Sequence, residues 1–485
     1  MGTLFGNLEI GKKSLLADQL ALQVTGNNMA NINTPGYSRQ RAVLQTAIPV
    51  STAAGLVGSG VDVKTIESVR DPFVELRLAK GTQNSSKQEA IFRTLDQVQT
   101  VFPAGDKGLQ EGISRFFDSF ATLANNPESD ALRHTLTSAA DSLASTFRSS
   151  AQQLIDIQQN VNSSIKDAVT KINTLASNIA TLNKEIVSAE ASGNEASSLR
   201  DQRSLYINQL SELADVQYYQ STDNTFYVSV TRGLNLVAGT STTPLSASPA
   251  GISGFYQIKS GLNDITSKIK GGQLAGLVEL RDVRIPTYQS DLDTLADTII
   301  NQVNAQHKLG IDLLGNAGAD FFNPTPAPAP PASLPSGAAL NFSVNPSILA
   351  DVRTIAASQT DPLPTTPAPT PNPGHSGAPG DNANALALAN LINLRPLGNG
   401  TQTFSQNYAS LQFKVGTDTQ SSKRTLDAQG AVLTQLKNQR DSISGVSLDE
   451  EAVDLVRFQR AFQASAKFIS TIDQLTGEII QAFGV

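Results

Sequence analysis

The sequence predicts a mainly α protein with a smaller β part. Its terminal helices pair as a coiled coil, long helices form a rod domain, and a small β domain lies at the outer end. Three observations carry this reading. Leu8, Leu15, Leu22 and Met29 recur every seven residues near the N-terminus, and Leu448, Leu455, Phe462 and Ile469 do so near the C-terminus. A seven-residue apolar repeat marks a helix that packs along a seam on another helix. Residues 139–191 carry apolar side chains at three- and four-residue steps, from Leu154 and Ile155 through Ile165, Ile172 and Ile179 to Ile186. Such a run of about fifty residues is a helical rod of about 75 Å. From residue 216 to about 270 the apolar period switches to two. Neither terminal repeat has a partner beside it in sequence, so the two ends are expected to pair with everything between them looped out.

Each element follows from local chemistry. One amphipathic helix is predicted over residues 4–32, stopped by the run Asn33, Thr34, Pro35, Gly36, Tyr37. Proline pushes Thr34 toward extended backbone, and Pro-Gly is a type II turn signal in which Gly36 takes the positive φ. Residues 38–69 alternate in short stretches and carry Gly55, Gly58 and Gly60, which reads as hairpin structure. Asp71-Pro72 opens a helix, and helical pattern continues to about residue 214 with a break at Asn125, Asn126 and Pro127. The run from Thr225 to Val230, followed by Arg232-Gly233 and Leu236-Val237, reads as a hairpin. Gly271-Gly272 ends the β part, and a second long helix is predicted over 274–308. Pro-rich segments at 323–338 and 361–380 read as semi-rigid linkers, with a strand between them at 340–344. Helices resume at 382–394 and from about 408 to the end, broken at Ser444-Gly445-Val446.

Composition narrows the function classes. The net charge is -7 over 485 residues, which argues against a nucleic-acid or anionic-membrane partner, since each wants a basic face. Charged residues make up only 16% of the chain, giving a polar, weakly charged surface suited to contact between copies. There is no cysteine, so disulfides and thiolate metal sites are excluded. No stretch of about eighteen apolar residues is present, so no membrane insertion is expected. No secretory signal sequence is visible either, because Lys12 and Lys13 sit inside the amphipathic pattern.

Catalytic chemistry finds no constellation. His134, His307 and His375 stand in unrelated contexts without metal-ligand spacing. Residues 55–61 (GLVGSGV) lack the spacing of a dinucleotide fingerprint. The acidic run Asp449, Glu450, Glu451 could form a cation site, but it reads better as favourable charge at a helix N-terminus. Ser447 is the expected cap, with Glu450 three residues on. No enzyme activity, cofactor or metal is expected.

The termini carry a family pattern. Residues 24–37 (VTGNNMANINTPGY) include Asn27, Asn28, Ala30, Asn31, Asn33, Thr34, Pro35, Gly36 and Tyr37, and run on into Ser38 and Arg39. This stretch resembles the N-terminal motif of the bacterial flagellar axial proteins of the rod, hook and hook–filament junction. Its continuation YSRQR (37–41) is similar to the hook-associated members. GSGVDVKTI (58–66), RDPF (70–73), LRDQR (199–203), GQLAGL (272–277) with Arg281-Asp282, and SLDEEAVDLVRFQRAFQASAK (447–467) resemble that family too. Larger members carry an additional outer domain, which the short Pro-rich stretch 317–340 leaves reduced or missing here.

The resemblance implies a structural subunit joining hook to filament, exported unfolded by the flagellar type III apparatus. Implied partners are copies of itself, the hook protein, the next junction protein, and an export chaperone at the C-terminal region. Implied location is the extracellular flagellum after a transient cytoplasmic stage. The expected domains are 1–60 with 445–485 as the axial terminal-helix domain, then 61–215 with 272–320 and 345–444 as the helical rod. A β domain takes 216–271, with 321–344 a candidate addition. Leu8, Leu15, Leu22, Met29, Leu448, Leu455, Phe462 and Ile469 are the expected assembly interface. Burying that seam does not offset backbone ordering at about 1–2 kcal/mol per residue, so the ends are expected to order on assembly. A rod or hook subunit is the nearest alternative; the long 139–191 helix weighs against it. A cytoplasmic coiled-coil adaptor is the non-flagellar alternative; the Asn-Thr-Pro-Gly-Tyr motif weighs against it.

Overall fold

The computed structural model describes residues 2–52, 55–103, 105, 108–191, 195–231, 233–250, 254–324, 337–359 and 380–483. Most of both Pro-rich segments, and His375, lie outside them. The chain starts with α1 (Gly2–Ala30) and turns at Thr34–Tyr37, where Gly36 has φ +81° and the Tyr37 amide donates to the Thr34 carbonyl at 3.2 Å. That is the turn expected from Pro-Gly. A twisted antiparallel ribbon follows: β1 (Gln40–Thr46) pairs with β4 (Val61–Ser68), and at its far end β2 (Val50–Thr52) pairs with β3 (Gly55–Val57). The ribbon lies along α1, where the Lys13 ammonium meets the Asp62 carboxylate at 3.0 Å. Its pairing runs through the boundary expected at residue 60, so β4 belongs with the terminal helices.

The helical body begins with α2 (Pro72–Val101), capped by the Asp71 carboxylate, which accepts from the Phe73 and Val74 amides. Then come α3 (Leu109–Ala124), α4 (Asp130–Glu190) and α5 (Ser197–Leu213). Helix α4 has 61 residues, about 90 Å at 1.5 Å per residue. It starts just after the break expected at Asn125–Pro127, and residues 139–191, where the apolar period is clearest, make up most of it. Near its start Arg133 is fully buried. Its guanidinium donates to the carbonyls of Pro127 (2.8 Å), Val352 (3.2 Å) and Ile355 (2.7 Å).

The β part contains two antiparallel sheets. One has the order β5 (Val216–Gln220), β6 (Phe226–Val230), β7 (Leu234–Ala238), β8 (Ser241–Thr242). The other is β9 (Leu245–Ala250), β10 (Phe255–Ser260), β11 (Asn263–Asp264), with β10 central. Both sheets lie on α4, and asparagines of that helix bond backbone groups of edge strand β9 and of the end of β6. Asn173 both accepts from the Leu245 amide (2.8 Å) and donates to its carbonyl (2.7 Å). Asn183 does the same for Phe226 and also donates to the Gly239 carbonyl at 2.6 Å. A carboxamide carries one donor side and one acceptor side, so it satisfies a strand edge as another strand would.

The chain returns through α6 (Gly272–Glu279), a π-helical turn (Leu280–Arg284) and α7 (Ile285–His307). Short pieces follow: β12 (Gly310–Ile311), α8 (Pro346–Ala350), and β13 (Ser358–Gln359), which pairs with β12. Then α9 (Ala383–Asn390), α10 (Phe404–Ser444) and α11 (Leu448–Phe483) complete the molecule. Helix α10 runs antiparallel along α2: Leu436 approaches Gly81, and the Thr419 hydroxyl donates to the Leu95 carbonyl. Helix α11 runs back along α1.

The strand expected at 340–344 does not form. Only Val344 bridges, to Phe322, and Leu340 and Asn341 lie in a turn. The apolar residues there serve a ring cluster instead. Phe342 stacks on Phe147 (centroids 4.8 Å apart) and meets Phe322 at 4.7 Å, and Phe116 meets Phe321 and Phe322. The described part of 321–344 therefore packs on α3 and α4 of the helical body, away from the two sheets it was a candidate to join.

Candidate assembly site at the terminal helices

Helices α1 and α11 pair antiparallel, and their contacts fix the register. Ser14 and Ser465 place their hydroxyls 2.9 Å apart, and Ser465 donates to Asp18 at 3.0 Å. A Cβ on Gly11 would stand 2.8 Å from Ile469 Cγ1 and 3.0 Å from Phe468. Seventeen residues later, Asn28 meets Glu451 at 3.1 Å. The deepest line on α1 is Ser14, Ala17, Ala21, Val24 and Asn28, of which all but Ser14 are fully buried. On α11 it is Glu451, Phe458, Ser465 and Ile472. Both lines repeat every seven residues.

The predicted seam residues flank this line. Leu15, Leu22, Met29, Leu455, Phe462 and Ile469 are half-buried, while Leu8 and Leu448 are 36% and 50% exposed. The expected pairing is present, with its register one residue off on α1. The physical reason is close approach. Glycine, alanine and serine let two helices come together, and the larger leucines then have no room between them.

At the inner end of the pair, four separate sequence stretches meet. Asn28 is buried and all four hydrogen-bonding positions of its amide are filled. It donates to the Gln40 carbonyl (2.8 Å) and to Glu451 Oε2 (3.1 Å), and accepts from the Gln40 amide (2.9 Å) and the Tyr37 hydroxyl (2.8 Å). Arg39 fans onto three carboxylates of α11: Glu450 (2.6 Å), Glu451 (2.7 Å) and Asp454 (3.4 Å). Its own amide donates to the Ser444 carbonyl at 2.8 Å, holding the α10–α11 corner. Arg440 of α10 donates to the Tyr37 carbonyl at 3.0 Å. The buried Ser38 amide donates to Asp201 of α5 (3.3 Å), and Asp201 is also paired with Arg70. Arg70 further donates to Ser204 at 2.8 Å.

The remaining motif residues shape the loop. Asn27 donates to the Tyr37 hydroxyl at 3.2 Å, and Asn31 reaches back to the Asn27 carbonyl at 3.0 Å. Thr34 donates to the Asn31 side chain at 3.1 Å. Ala30, Asn33 and Pro35 are exposed. Burial, with Asp201 and Glu451 nearby, pushes the Tyr37 phenol up to about 12. It therefore stays protonated at neutral pH and remains a donor to Asn28. Deeper in α5, burial lowers Arg203 to about 9. That side chain donates to Asn183 (2.9 Å) and the Asn224 carbonyl (2.7 Å) and lies over the Phe226 ring, which ties α5 to the β part.

Sequence reading assigned Glu451 to the helix dipole, and the Ser447 hydroxyl does lie 3.5 Å from the Glu450 amide. The structure adds that Glu451 is 1% exposed and is the partner of Asn28 and Arg39. The spacing of Glu450, Glu451 and Asp454 on one helical face was the available signal. Among the described residues, no group of His, Asp or Glu is arranged to hold a metal ion, and no helix is long and apolar enough to cross a membrane.

Comparison with known proteins agrees with this architecture. Residues 95–322 match the family model of the flagellar hook-associated protein FlgK helical domain. Residues 8–37 match that of the flagella basal body rod protein, and 437–482 that of the flagellar basal body rod FlgEFG protein C-terminal region. The flagellar hook-associated protein 1 of Bacillus subtilis (strain 168) is 28% identical, covering all of this chain and 99% of the relative. That of Escherichia coli (strain K12) is also 28% identical, covering 99% and 100%. The alignment to the B. subtilis protein runs over 526 positions against 485 residues, so that relative carries residues this chain lacks. The fold is similar to the flagellar hook junction protein FlgK from Burkholderia pseudomallei, with TM-score 0.66 and 22% identity, covering 76% of this chain and all of that one. The terminal helices match the rod-type models and the body between them matches the hook-associated one, and over its full length the chain is similar to flagellar hook-associated protein 1, a structural protein of the bacterial flagellum.

Proposed function

We propose that this chain joins hook to filament and polymerises through α1 and α11 after unfolded export by the flagellar type III apparatus. The observation that carries the reading is the division of side chains on the terminal pair. Small side chains fill much of the seam on α1 inside one chain, and large apolar ones stay exposed on both helices: Phe5, Leu8 and Leu16 on α1, Leu448, Phe468, Leu475 and Ile480 on α11. The ribbon beside them adds Ile48 and Leu56, which are 87% and 77% exposed. A monomer rarely leaves so many large apolar groups together in water. Contacts with neighbouring copies in a tube wall, repeated head-to-tail, would cover them. The hook protein and the next junction protein would be met at the two ends of the ring of copies. A cytoplasmic chaperone holding the C-terminal region before export would shield the same apolar groups.

Deletion of the gene tests the reading. Hooks should persist without filaments, and flagellin should accumulate in the medium. Intact filaments on the deletion strain would refute it.

A further inference from the structure

We infer that Glu451 and Arg39 are positioning residues which lock the register and angle of the terminal helix pair against the helical body. The motif loop 31–40 is the part they hold. The inference rests on the reading of α1 and α11 as the assembly surface, and adds how that surface is aimed.

The argument starts from connectivity. The chain crosses between the terminal part and the body twice, at residues 69–71 after β4 and at 445–447 before α11. Arg39 bonds beside both crossings: its carbonyl accepts from the Val69 amide and its amide donates to the Ser444 carbonyl, each at 2.8 Å. Contacts at this corner therefore act on the angle between pair and body. Two sets of contacts do so. On the pair side, Glu451 binds the Asn28 amide and the Arg39 guanidinium at once, joining α1, the loop and α11. On the body side, the amides of Ser38 and Arg39 bind Asp201 of α5 and the Ser444 carbonyl of α10, and Arg440 of α10 holds the Tyr37 carbonyl. Successive residues of one loop thus carry bonds to the α1–α11 pair and to the body.

Burial makes the lock selective. Glu451 is 1% exposed, so its charge needs Arg39 and the Asn28 amide. A helix pair slipped by one residue turns Asn28 or Glu451 out of reach and strands a buried carboxylate, which is strongly disfavoured. The bonds form only when α1, α11 and the loop are all folded in one arrangement. Closure of this corner is then what commits the ordered ends to a fixed orientation.

The test uses the full chain expressed in place of the native gene. Arg39→Ala leaves Glu451 buried beside Asn28 without its cation, and the fraction of hooks carrying filaments should fall by about tenfold or more. Adding Glu451→Gln to that chain removes the stranded charge and keeps an acceptor for Asn28. The double variant should recover a large part of the loss. Thermal unfolding of each purified variant should match the native chain, because the ends are expected to order only on assembly and the core of the body is untouched. Normal filament attachment by Arg39→Ala, or a double variant no better than Arg39→Ala, overturns the inference. Either result leaves the assembly reading intact provided the deletion strain lacks filaments.

Discussion

Replacing Gly11 with leucine should abolish filament attachment while leaving the folded body unchanged. Gly11 sits tightly against α11, and even a Cβ there would lie 2.8 Å from Ile469 Cγ1. A glycine inside a helix costs about 1 kcal/mol relative to alanine, so close approach is the physical gain that offsets it. A leucine must push the helices apart, at about 1–3 kcal/mol for an overpacked site. The separation also breaks the bond between Ser14 and Ser465. Every copy in a ring carries the same defect, so the losses multiply through the assembly. The purified variant should show native thermal unfolding, because Gly11 touches only the terminal pair. Electron microscopy of hooks checks the first half of this result and calorimetry the second. Normal filaments on the variant would mean that α1 and α11 do not approach this closely in the working assembly.

The second large effect is a pH dependence of body stability set by His307. Its ring is fully buried, with Nδ1 2.7 Å from the Ala319 carbonyl and Nε2 2.9 Å from the Ala356 amide. A carbonyl only accepts and an amide N–H only donates, so Nδ1 carries the proton and Nε2 accepts. Protonating Nε2 would break the bond to Ala356. Burial accordingly lowers the pKa from 6.5 to about 4. Between those values the unfolded chain binds a proton that the folded chain does not. Stability is therefore unaffected above pH 6.5 and falls as the pH drops toward 4, by about 3 kcal/mol at 1.36 kcal/mol per unit. His307→Gln should remove that slope while costing stability at pH 7. Denaturant melts at pH 4.5 and 7 for both chains give the comparison. Parallel slopes would contradict the assigned bonding.

Much of this fold was readable from residues. The Asp71-Pro72 helix start, the break at Asn125–Pro127, the change of period at 216 and the Thr34–Tyr37 turn are local signals, and each sits where local chemistry put it. What stayed hidden was tertiary. The true seam on α1 is made of Ala17, Ala21 and Asn28, which a search for large apolar repeats passes over. The run at 340–344 looked like a strand because Phe342 and Val344 alternate, yet they alternate to meet other rings and Phe322. The four family stretches at 24–41, 70–73, 199–203 and 447–467 stood apart in sequence. Only the fold shows that Asn28, Arg39, Arg70, Asp201 and Glu451 meet at one corner. Their convergence explains why these four stretches carry so many specific polar residues.

The central claim is that the two ends of one chain pair with each other inside the assembly. Ser14 and Ser465 offer a direct measurement, because their hydroxyls are 2.9 Å apart and the native chain has no cysteine. A chain with Ser14→Cys and Ser465→Cys should form one internal disulfide when assembled hooks are oxidised. On a denaturing gel it should run as a single chain with altered mobility, restored by reduction. Cross-linking only between chains, seen as a ladder of multiples, would contradict the pairing, and so would the absence of any disulfide.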